Sequence, residues 1–184
     1  MTEQAPELSR FNWSLEFNPR EEKIIDLGPC IVIAKPIRLT KPERDLSALA
    51  PRHPDIQKIF TLKDNYKERV HPGGKAGFHY HQHKMEIIYP IHDLKLFFRV
   101  VKTGKTLGID VPERIGNTCF GFLIKHGVSH AIRNPSQEEF RFYFVLANMF
   151  EEDAQEMGDV IEYPFIPPPT QPLQALLASA RPLK

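Results

Sequence analysis

The stretch "GFHYHQHKME", residues 77–86, places three histidines at alternate positions and follows them with a glutamate. Alternate side chains of a β-strand point to the same face, so His79, His81 and His83 are predicted to share one side of a sheet. Two imidazoles at positions i and i+2 can reach one metal ion. Glu86 has the opposite parity, so it joins them only if the chain bends or enters another strand just before it.

A second histidine-containing passage, "KHGVSHAIRN", covers residues 125–134. His130 stands there at the start of an apolar stretch. Gly127 precedes it and permits a tight approach of the backbone, because glycine adopts conformations that other residues avoid. His130 is therefore a further candidate for a shared site.

Composition limits the classes of protein to which the chain can belong. Its 184 residues suit a single domain, and 24 Lys+Arg against 23 Asp+Glu lack the charge of a general nucleic-acid or membrane-surface binder. Cys30 and Cys119 lack the spacing of a disulfide scaffold or zinc ribbon. The N-terminus carries no signal-peptide pattern, and no apolar run reaches about 18 residues. We expect a cytoplasmic protein without nucleic-acid or membrane partners.

The pattern of apolar residues predicts an all-β sandwich or barrel. Seventeen prolines and ten glycines interrupt the chain too often for a helical bundle, and thirteen phenylalanines favour strands. Short apolar runs recur at regular spacing without a 3.6-residue period. The runs are "KIIDL", "CIVIAKPIRL", "IQKIFTLK", "FHYHQH", "MEIIYPI", "LKLFFRVV", "KTLGIDV", "FGFLI", "SHAIRN" and "FRFYFVLAN".

The two ends of the chain differ from its centre. Residues 1–20 are polar with little periodicity and are expected to form an N-terminal arm, followed by the barrel at 21–163. Residues 164–184 are rich in proline and are expected to run extended over a surface, with a short helix in "LQALLASARPLK". Pro36 places the second strand at an edge or a bulge.

The histidine passages resemble the two motifs of the cupin superfamily. The first motif is a glycine, five residues, His-x-His, three or four residues and a glutamate, and the second ends in Gly-x-x-His-x-x-x-Asn. The matching residues are Gly73, His79, His81 and Glu86, then Gly127, His130 and Asn134. Three positions depart from the motifs, all in turns rather than among the ligands: Asp93, Cys119 and Lys125.

The resemblance implies a single-domain jelly-roll, a double-stranded β-helix barrel, that holds a divalent transition metal. Its ligands are then His79, His81, Glu86 and His130. Imidazole and carboxylate donors suit zinc or iron, and also nickel, manganese or cobalt, whereas the absence of thiolates argues against copper(I) or an iron–sulfur cluster.

Residues 70 to 155 are similar to the cupins of deoxysugar and capsular polysaccharide biosynthesis, which epimerise or isomerise keto-sugar nucleotides. The resemblance implies a metal-dependent epimerase or isomerase acting on a keto-sugar nucleotide or a related small carbonyl compound. His83 and His126 are the candidates for catalytic proton transfer. Arg99 and Arg141, each in an otherwise apolar strand face, are predicted to bind the substrate together with Tyr143, unless the arginines reach to the surface.

Two alternatives use the same barrel. A non-haem iron-dependent dioxygenase is one, since four protein ligands leave two positions open on an octahedral ion. A non-catalytic cupin that binds a small ligand is the other. In each case a homodimer is expected, because jelly rolls commonly pair through exposed sheets.

Overall fold

The computed structural model of the chain describes residues 22–36, 49–112, 115 and 118–180. The predicted N-terminal arm, residues 1–20, lies outside these ranges. Three short helices and twelve strands form within them. The helices are α1 Pro54–Gln57, α2 Glu151–Glu156 and α3 Leu173–Ser179. The strands are β1 Lys23–Asp26, β2 Cys30–Pro36, β3 Asp64–Val70, β4 Lys75–His81, β5 Glu86–Pro90, β6 Leu94–Val100, β7 Thr106–Val111, β8 Thr118–Ile124, β9 Val128–Arg133, β10 Arg141–Ala147, β11 Val160–Glu162 and β12 Gln171–Pro172.

The strands form two six-stranded sheets. The first has the order β1-β2-β8-β5-β10-β3, and the second has the order β11-β4-β9-β6-β7-β12. All pairs are antiparallel except β7 with β12. The chain crosses repeatedly between the sheets, which is the winding of a jelly-roll. The crossings run from β3 to β4, β4 to β5, β5 to β6, β7 to β8, β8 to β9, β9 to β10 and β10 to β11. The predicted all-β cupin jelly-roll is confirmed.

The main core lies between the two sheets and follows the period of two residues in the strands. In β6, for example, Leu94, Leu96 and Phe98 point inward and are almost fully buried. The outer face of the first sheet has a second apolar cluster, which includes Ile56 and Phe60 from α1 and the turn after it. The inner cluster thus joins the sheets, and the outer one fixes α1 on the barrel.

Two elements differ from the sequence prediction. "IQKIFTLK" was expected to be a strand, but its first residues complete α1 and the following turn. His53 caps this helix through its imidazole, and Pro54 occupies the first turn, where its missing N–H leaves no bond unmade. Strand β3, "DNYKERV", was not predicted, because its polar residues suit an edge strand that pairs on one side with β10.

Strand β2 also lies elsewhere in the sheet than predicted. It pairs with both β1 and β8, so it is an interior strand, and Pro36 is its last residue. A proline at the end of a strand disturbs the hydrogen-bond ladder little. The expectation of an edge position was therefore wrong.

The described part of the C-terminal tail packs on the barrel. Leu173 and Leu177 of α3 join the inner core, and Phe165 packs on the outer face of the second sheet against Phe97. At Gly108 a Cβ atom would lie 2.7 Å from the carbonyl oxygen of Pro169, so the proline segment passes where only glycine leaves room. The predicted short helix is confirmed. Among the described residues, none of the helices is long and apolar enough to cross a bilayer.

Candidate active site

Two sheets contribute to a cluster of histidine and glutamate side chains inside the barrel. His79 and His81 lie on β4, and His130 lies on the neighbouring strand β9, paired with His79. Glu86 begins β5 in the opposite sheet. The turn at residues 82–85 carries the chain across, as the parity of Glu86 required. It also ends β4 at His81, so the predicted alternation does not continue to His83.

A β-bulge aims the two histidines of β4. The pairing of β4 with β9 shifts between Gly77 and His79, where Gly77 has φ 86° and Phe78 has φ 65°. A Cβ atom at Gly77 would lie 2.7 Å from the carbonyl oxygen of His130, so this close approach requires glycine. Bulges commonly redirect side chains beside functional sites, and this one adjoins the cluster.

The ligand atoms of the four candidate metal ligands all lie within 4.8 Å of one another. Glu86 Oε2 is 3.4 Å from His130 Nε2, and Glu86 Oε1 is 3.6 Å from His81 Nε2. His81, Glu86 and His130 are buried, and His79 is half-buried. The structure therefore brings together four donor groups from distant parts of the chain.

Asp159 orients the imidazole of His81. His81 Nδ1 donates to Asp159 Oδ2 over 2.8 Å, and the backbone N–H of His83 donates to Oδ1 over 2.6 Å. This contact turns His81 Nε2 toward the cavity, where no described residue forms a hydrogen bond with it. Burial raises the pKa of Asp159, but the His83 N–H and His81 outweigh it and hold the pKa below its usual value. Sequence analysis missed Asp159, which lies 78 residues from His81 in an acidic segment without a motif.

Glu86 is held by two further side chains that sequence analysis missed, Tyr66 and Lys84. The Tyr66 hydroxyl donates to Glu86 Oε1 over 2.9 Å, and Lys84 Nζ lies 2.9 Å from the same oxygen. Lys84 is only 2% exposed and also pairs with Glu151. Burial lowers the pKa of Lys84, but Glu86 and Glu151 outweigh it and raise the pKa, so the ammonium is retained. One oxygen of Glu86 is thus occupied, while Oε2 faces His130.

The pKa values of the histidines follow from burial and from these charges. Burial, followed by the charges of His130 and His81, lowers the pKa of His79 to about 4. Burial also lowers the pKa of His81, but Glu86 and Asp159 outweigh it and raise the pKa above 6.5. Burial raises the pKa of Glu86, but the neighbouring imidazoles of His130 and His81 hold it well below its usual value.

The cluster carries excess negative charge when its imidazoles are neutral. The buried Glu86 and Asp159 and the partly exposed Glu151 contribute three negative charges, and the buried Lys84 contributes one positive charge. The net charge is −2, of which −1 is buried. Buried charge of one sign is costly unless it is compensated. The cluster can be neutralised by a divalent cation or by two protons on its histidines.

A cavity of about 570 Å³ opens over the cluster. This volume suits a small organic molecule. Its apolar wall includes Ile88, Ile132 and Val145, and carboxylates of Asp64, Glu68 and Glu151 also line it. The cavity therefore combines an apolar wall, a polar cluster and acidic side chains.

The structure places the predicted substrate-binding residues differently. Tyr143 lines the cavity and is buried, and burial raises the pKa of its hydroxyl, so that it stays protonated and can donate a hydrogen bond. Arg99 does not line the cavity and stacks over the ring of Tyr163, 5.7 Å from its centroid. Arg141 is also absent from the lining and pairs with Glu139 over 2.9 Å.

The two histidines predicted to be catalytic are exposed. His83 lies in the turn after β4, and His126 lies in the turn between β8 and β9. Neither side chain lines the cavity. The structure thus gathers the four metal-ligand candidates and Tyr143, and it leaves His83, His126, Arg99 and Arg141 outside the cavity.

Comparison with known proteins gives structural relatives only. No protein-family model and no curated protein sequence matches the chain. The solved structure of the dTDP-6-deoxy-D-glucose-3,5-epimerase RmlC from Legionella pneumophila, in complex with dTDP-4-keto-L-rhamnose, matches with a TM-score of 0.53 and 13% identity over 86% of this chain and 91% of that one. The dTDP-4-dehydrorhamnose 3,5-epimerase from Elizabethkingia anophelis matches with a TM-score of 0.51 and 11% identity, over 70% and 75%.

A longer protein is similar over part of its length. The capsular polysaccharide assembling protein CapF from Staphylococcus aureus matches with a TM-score of 0.49 and 15% identity over 79% of this chain. The chain spans only 35% of the CapF chain. At these identities the comparisons establish architecture alone, and that statement rests on the two matches with a TM-score above 0.5. The chain has the cupin-type jelly-roll fold, which it shares with the two epimerases.

Proposed function

We propose that this protein is a metal-dependent isomerase or epimerase that acts on a small carbonyl compound in the barrel cavity. The ion would be held by His79, His81, Glu86 and His130. The two epimerases that share the fold suggest this reaction class, and we propose it for this chain on that basis. Such reactions remove a proton from the carbon next to a carbonyl. An epimerase returns a proton to the opposite face of the same carbon, and an isomerase returns it to a neighbouring position.

The convergence of the four donor groups in the cavity carries the proposal. Their ligand atoms lie within 4.8 Å of one another, in a site whose net charge of −2 matches a divalent cation. His81 Nε2 and His130 Nδ1 are buried, and neither has a hydrogen-bond partner in the part of the chain that the structure describes. The contact of His81 with Asp159 is of the kind that fixes a metal-binding imidazole, which supports the fit of a divalent ion.

When bound, such an ion supplies Lewis acidity that stabilises negative charge on the substrate oxygen. The surrounding residues of the chain have separate tasks. Tyr143 lines the cavity, and its hydroxyl would donate a hydrogen bond to a substrate oxygen. Lys84 and Tyr66 hold Glu86 in position. Besides the ligands, Asp64, Glu68 and Glu151 are carboxylates in the cavity that can accept a proton.

Metal analysis combined with proton exchange tests the proposal. Protein purified without chelator should contain one zinc, iron or related ion per chain, and His81→Ala and Glu86→Ala should lose it. Metal-loaded protein should exchange the α-protons of a keto-sugar with deuterium from the solvent, and chelation should stop the exchange. Oxygen consumption recorded in parallel tests the dioxygenase alternative.

His126→Ala is the matched control for metal content, since it removes an exposed imidazole four residues from His130. It should retain the ion. The same variant and His83→Ala, measured for exchange, test the two histidines that the sequence nominated for proton transfer. A metal content unaffected by His81→Ala and Glu86→Ala would refute the metal site.

A second candidate keeps the reaction and omits the metal. Lys84 already places a cation 2.9 Å from Glu86, and His81 paired with Asp159 is a possible base whose Nε2 faces the cavity. If no metal is involved, exchange of the substrate α-proton should continue after complete chelation and should be lost in Asp159→Asn. The chelation experiment therefore separates the two candidates.

A further inference from the structure

Strand β3 sorts its charged side chains by sign. Asp64, Tyr66 and Glu68 alternate along the strand and line the cavity. Each is paired in register with a residue of β10, and two of those, Val145 and Tyr143, also line the cavity. Edge strand β3 therefore presents two carboxylates to any molecule in the cavity.

The basic residues of the same strand lie on its other face. Lys67 Nζ lies 4.5 Å from the centre of the Phe142 ring, and the Arg69 guanidinium lies 4.8 Å from that of Phe140. Neither lines the cavity. Because side chains of a strand alternate between its two faces, the acidic residues of "DNYKERV" face the cavity and the basic residues face away from it.

Lys84 is the single lysine or arginine among the described residues that line the cavity. Its ammonium is already paired with Glu86 and Glu151. The two arginines that could have clamped a diphosphate, Arg99 and Arg141, lie outside the cavity. A substrate with a diphosphate would therefore meet Asp64 and Glu68 without a free cation in the described lining.

The cavity is nevertheless built to hold a polar molecule. His81 and His130 both line it, His81 is only 5% exposed, and its Nε2 has no hydrogen-bond partner among the described residues. Ile88, Ile132 and Val145 supply an apolar wall on which a sugar ring can pack. Carboxylates accept hydrogen bonds from hydroxyl and ammonium groups, and they repel phosphate.

We propose that the substrate of this cavity is a small polyhydroxylated carbonyl compound without phosphate, bound through hydroxyl or ammonium donors to Asp64 and Glu68. The carbonyl group in this description rests on the proposed function. The absence of phosphate rests on the two carboxylates and on the lack of an unpaired lysine or arginine in the described lining. The substrate would then differ from the dTDP-linked sugars that the names of the two epimerases specify.

Binding experiments on the full chain at low salt test the inference. The probes are dTDP, D-fructose and D-glucosamine, and the readout is the shift of the histidine side-chain resonances in NMR. Fructose and glucosamine should bind at least about tenfold more tightly than dTDP, because the two carboxylates repel the diphosphate at short range. Tighter binding of glucosamine than of fructose would assign the donor to an ammonium group rather than hydroxyls.

The double variant Asp64→Asn/Glu68→Gln should strengthen dTDP binding by about tenfold and weaken glucosamine binding. Lys67→Gln/Arg69→Gln is the matched control, because it removes charges from the outer face of the same strand. It should leave the affinity order unchanged. If the double variant folds poorly, the single variant Glu68→Gln replaces it, because Glu68 is exposed and its substitution disturbs folding less. The same changes in affinity, but smaller, are then expected.

Two results would overturn the inference. The first is dTDP binding to the unmodified chain as tightly as the sugars do, and the second is a dTDP affinity that neutralising the two carboxylates leaves unchanged. Neither readout depends on turnover. A failure of proton exchange with an intact affinity order would therefore remove the proposed function and leave the inference standing.

Discussion

At the scale of single residues, the candidate site depends on contacts between side chains far apart in the sequence. His79, His81 and Glu86 could be identified from sequence, because their spacing is local and follows a known motif. Asp159 could not, since it reaches His81 from 78 residues away and no local pattern marks it. Lys84 could not be identified either, because its burial against Glu86 depends on the two sheets meeting.

Asp159→Asn should weaken metal binding by about 10- to 100-fold at high pH, because an oriented imidazole loses its partner. The pH dependence should also move. The pKa of His81 is raised above 6.5, so protons compete with the ion once the pH falls below that raised value. Removing the Asp159 charge lowers this pKa, and competition then begins at a lower pH.

Zinc titrations of both proteins across the pH range check this prediction. Asp153→Asn is the control, because Asp153 is an exposed acid of α2 close to Asp159 in sequence. An unshifted midpoint in Asp159→Asn would show that the carboxylate does not govern His81.

Lys84→Met should destabilise the metal-free protein by about 3 kcal/mol, since it leaves the buried Glu86 without its cation. The same variant should bind zinc more tightly than the unmodified chain, because the charge of the cluster becomes more negative. Thermal unfolding with and without zinc measures both effects. A zinc-induced gain in melting temperature smaller than that of the unmodified chain would contradict this account.

At the scale of elements, strands with inward apolar residues could be predicted from the sequence, whereas the polar strand β3 could not. The run "LKLFFRVV" correctly predicted β6, because burial of one strand face makes apolar residues recur at every second position. Strand β3 carries charged residues on both faces and so has no hydrophobic period. "IQKIFTLK" is apolar enough for a strand, but the capped start at His53 and Pro54 favours a helical turn. At this position the capping residues, rather than the apolar pattern, determine the local structure.

Gly77→Ala tests the role of the bulge in β4. A Cβ atom at Gly77 meets the His130 backbone at φ 86°, so the substitution should lower the free energy of unfolding by about 2 kcal/mol or more and reduce metal content. Gly127→Ala is the comparison, because Gly127 has φ 67° but no atom within 4 Å of a Cβ position. It should lose only about 1 kcal/mol. Urea unfolding of the two variants should rank them in this order, and equal losses would count against the bulge.

At the scale of the whole molecule, the barrel's stability and its site occupy different regions. The C-terminal helix α3 closes the inner core with Leu173 and Leu177, and these residues do not line the cavity. The sequence predicted this helix but not its packing, because the prolines before it say only that the chain runs extended. The expected homodimer stays a prediction, and light scattering of the purified chain tests it.

Leu173→Ala should lower the free energy of unfolding by about 2 to 5 kcal/mol, the range for a fully buried leucine. Metal content should stay unchanged in the folded protein. Ile166→Ala, at a side chain that is 88% exposed, should have little effect on stability. Loss of the ion in folded Leu173→Ala would show that the tail and the site are coupled.

The geometry of the four ligands is tested most directly by X-ray absorption spectroscopy of the zinc-loaded chain. The account predicts three imidazole nitrogens and one carboxylate oxygen at about 2.0–2.2 Å from the ion. It also predicts that the imidazole scattering falls by one ring in His130→Ala. A zinc environment with no imidazole scattering, or with thiolate sulfur at about 2.3 Å, would contradict it.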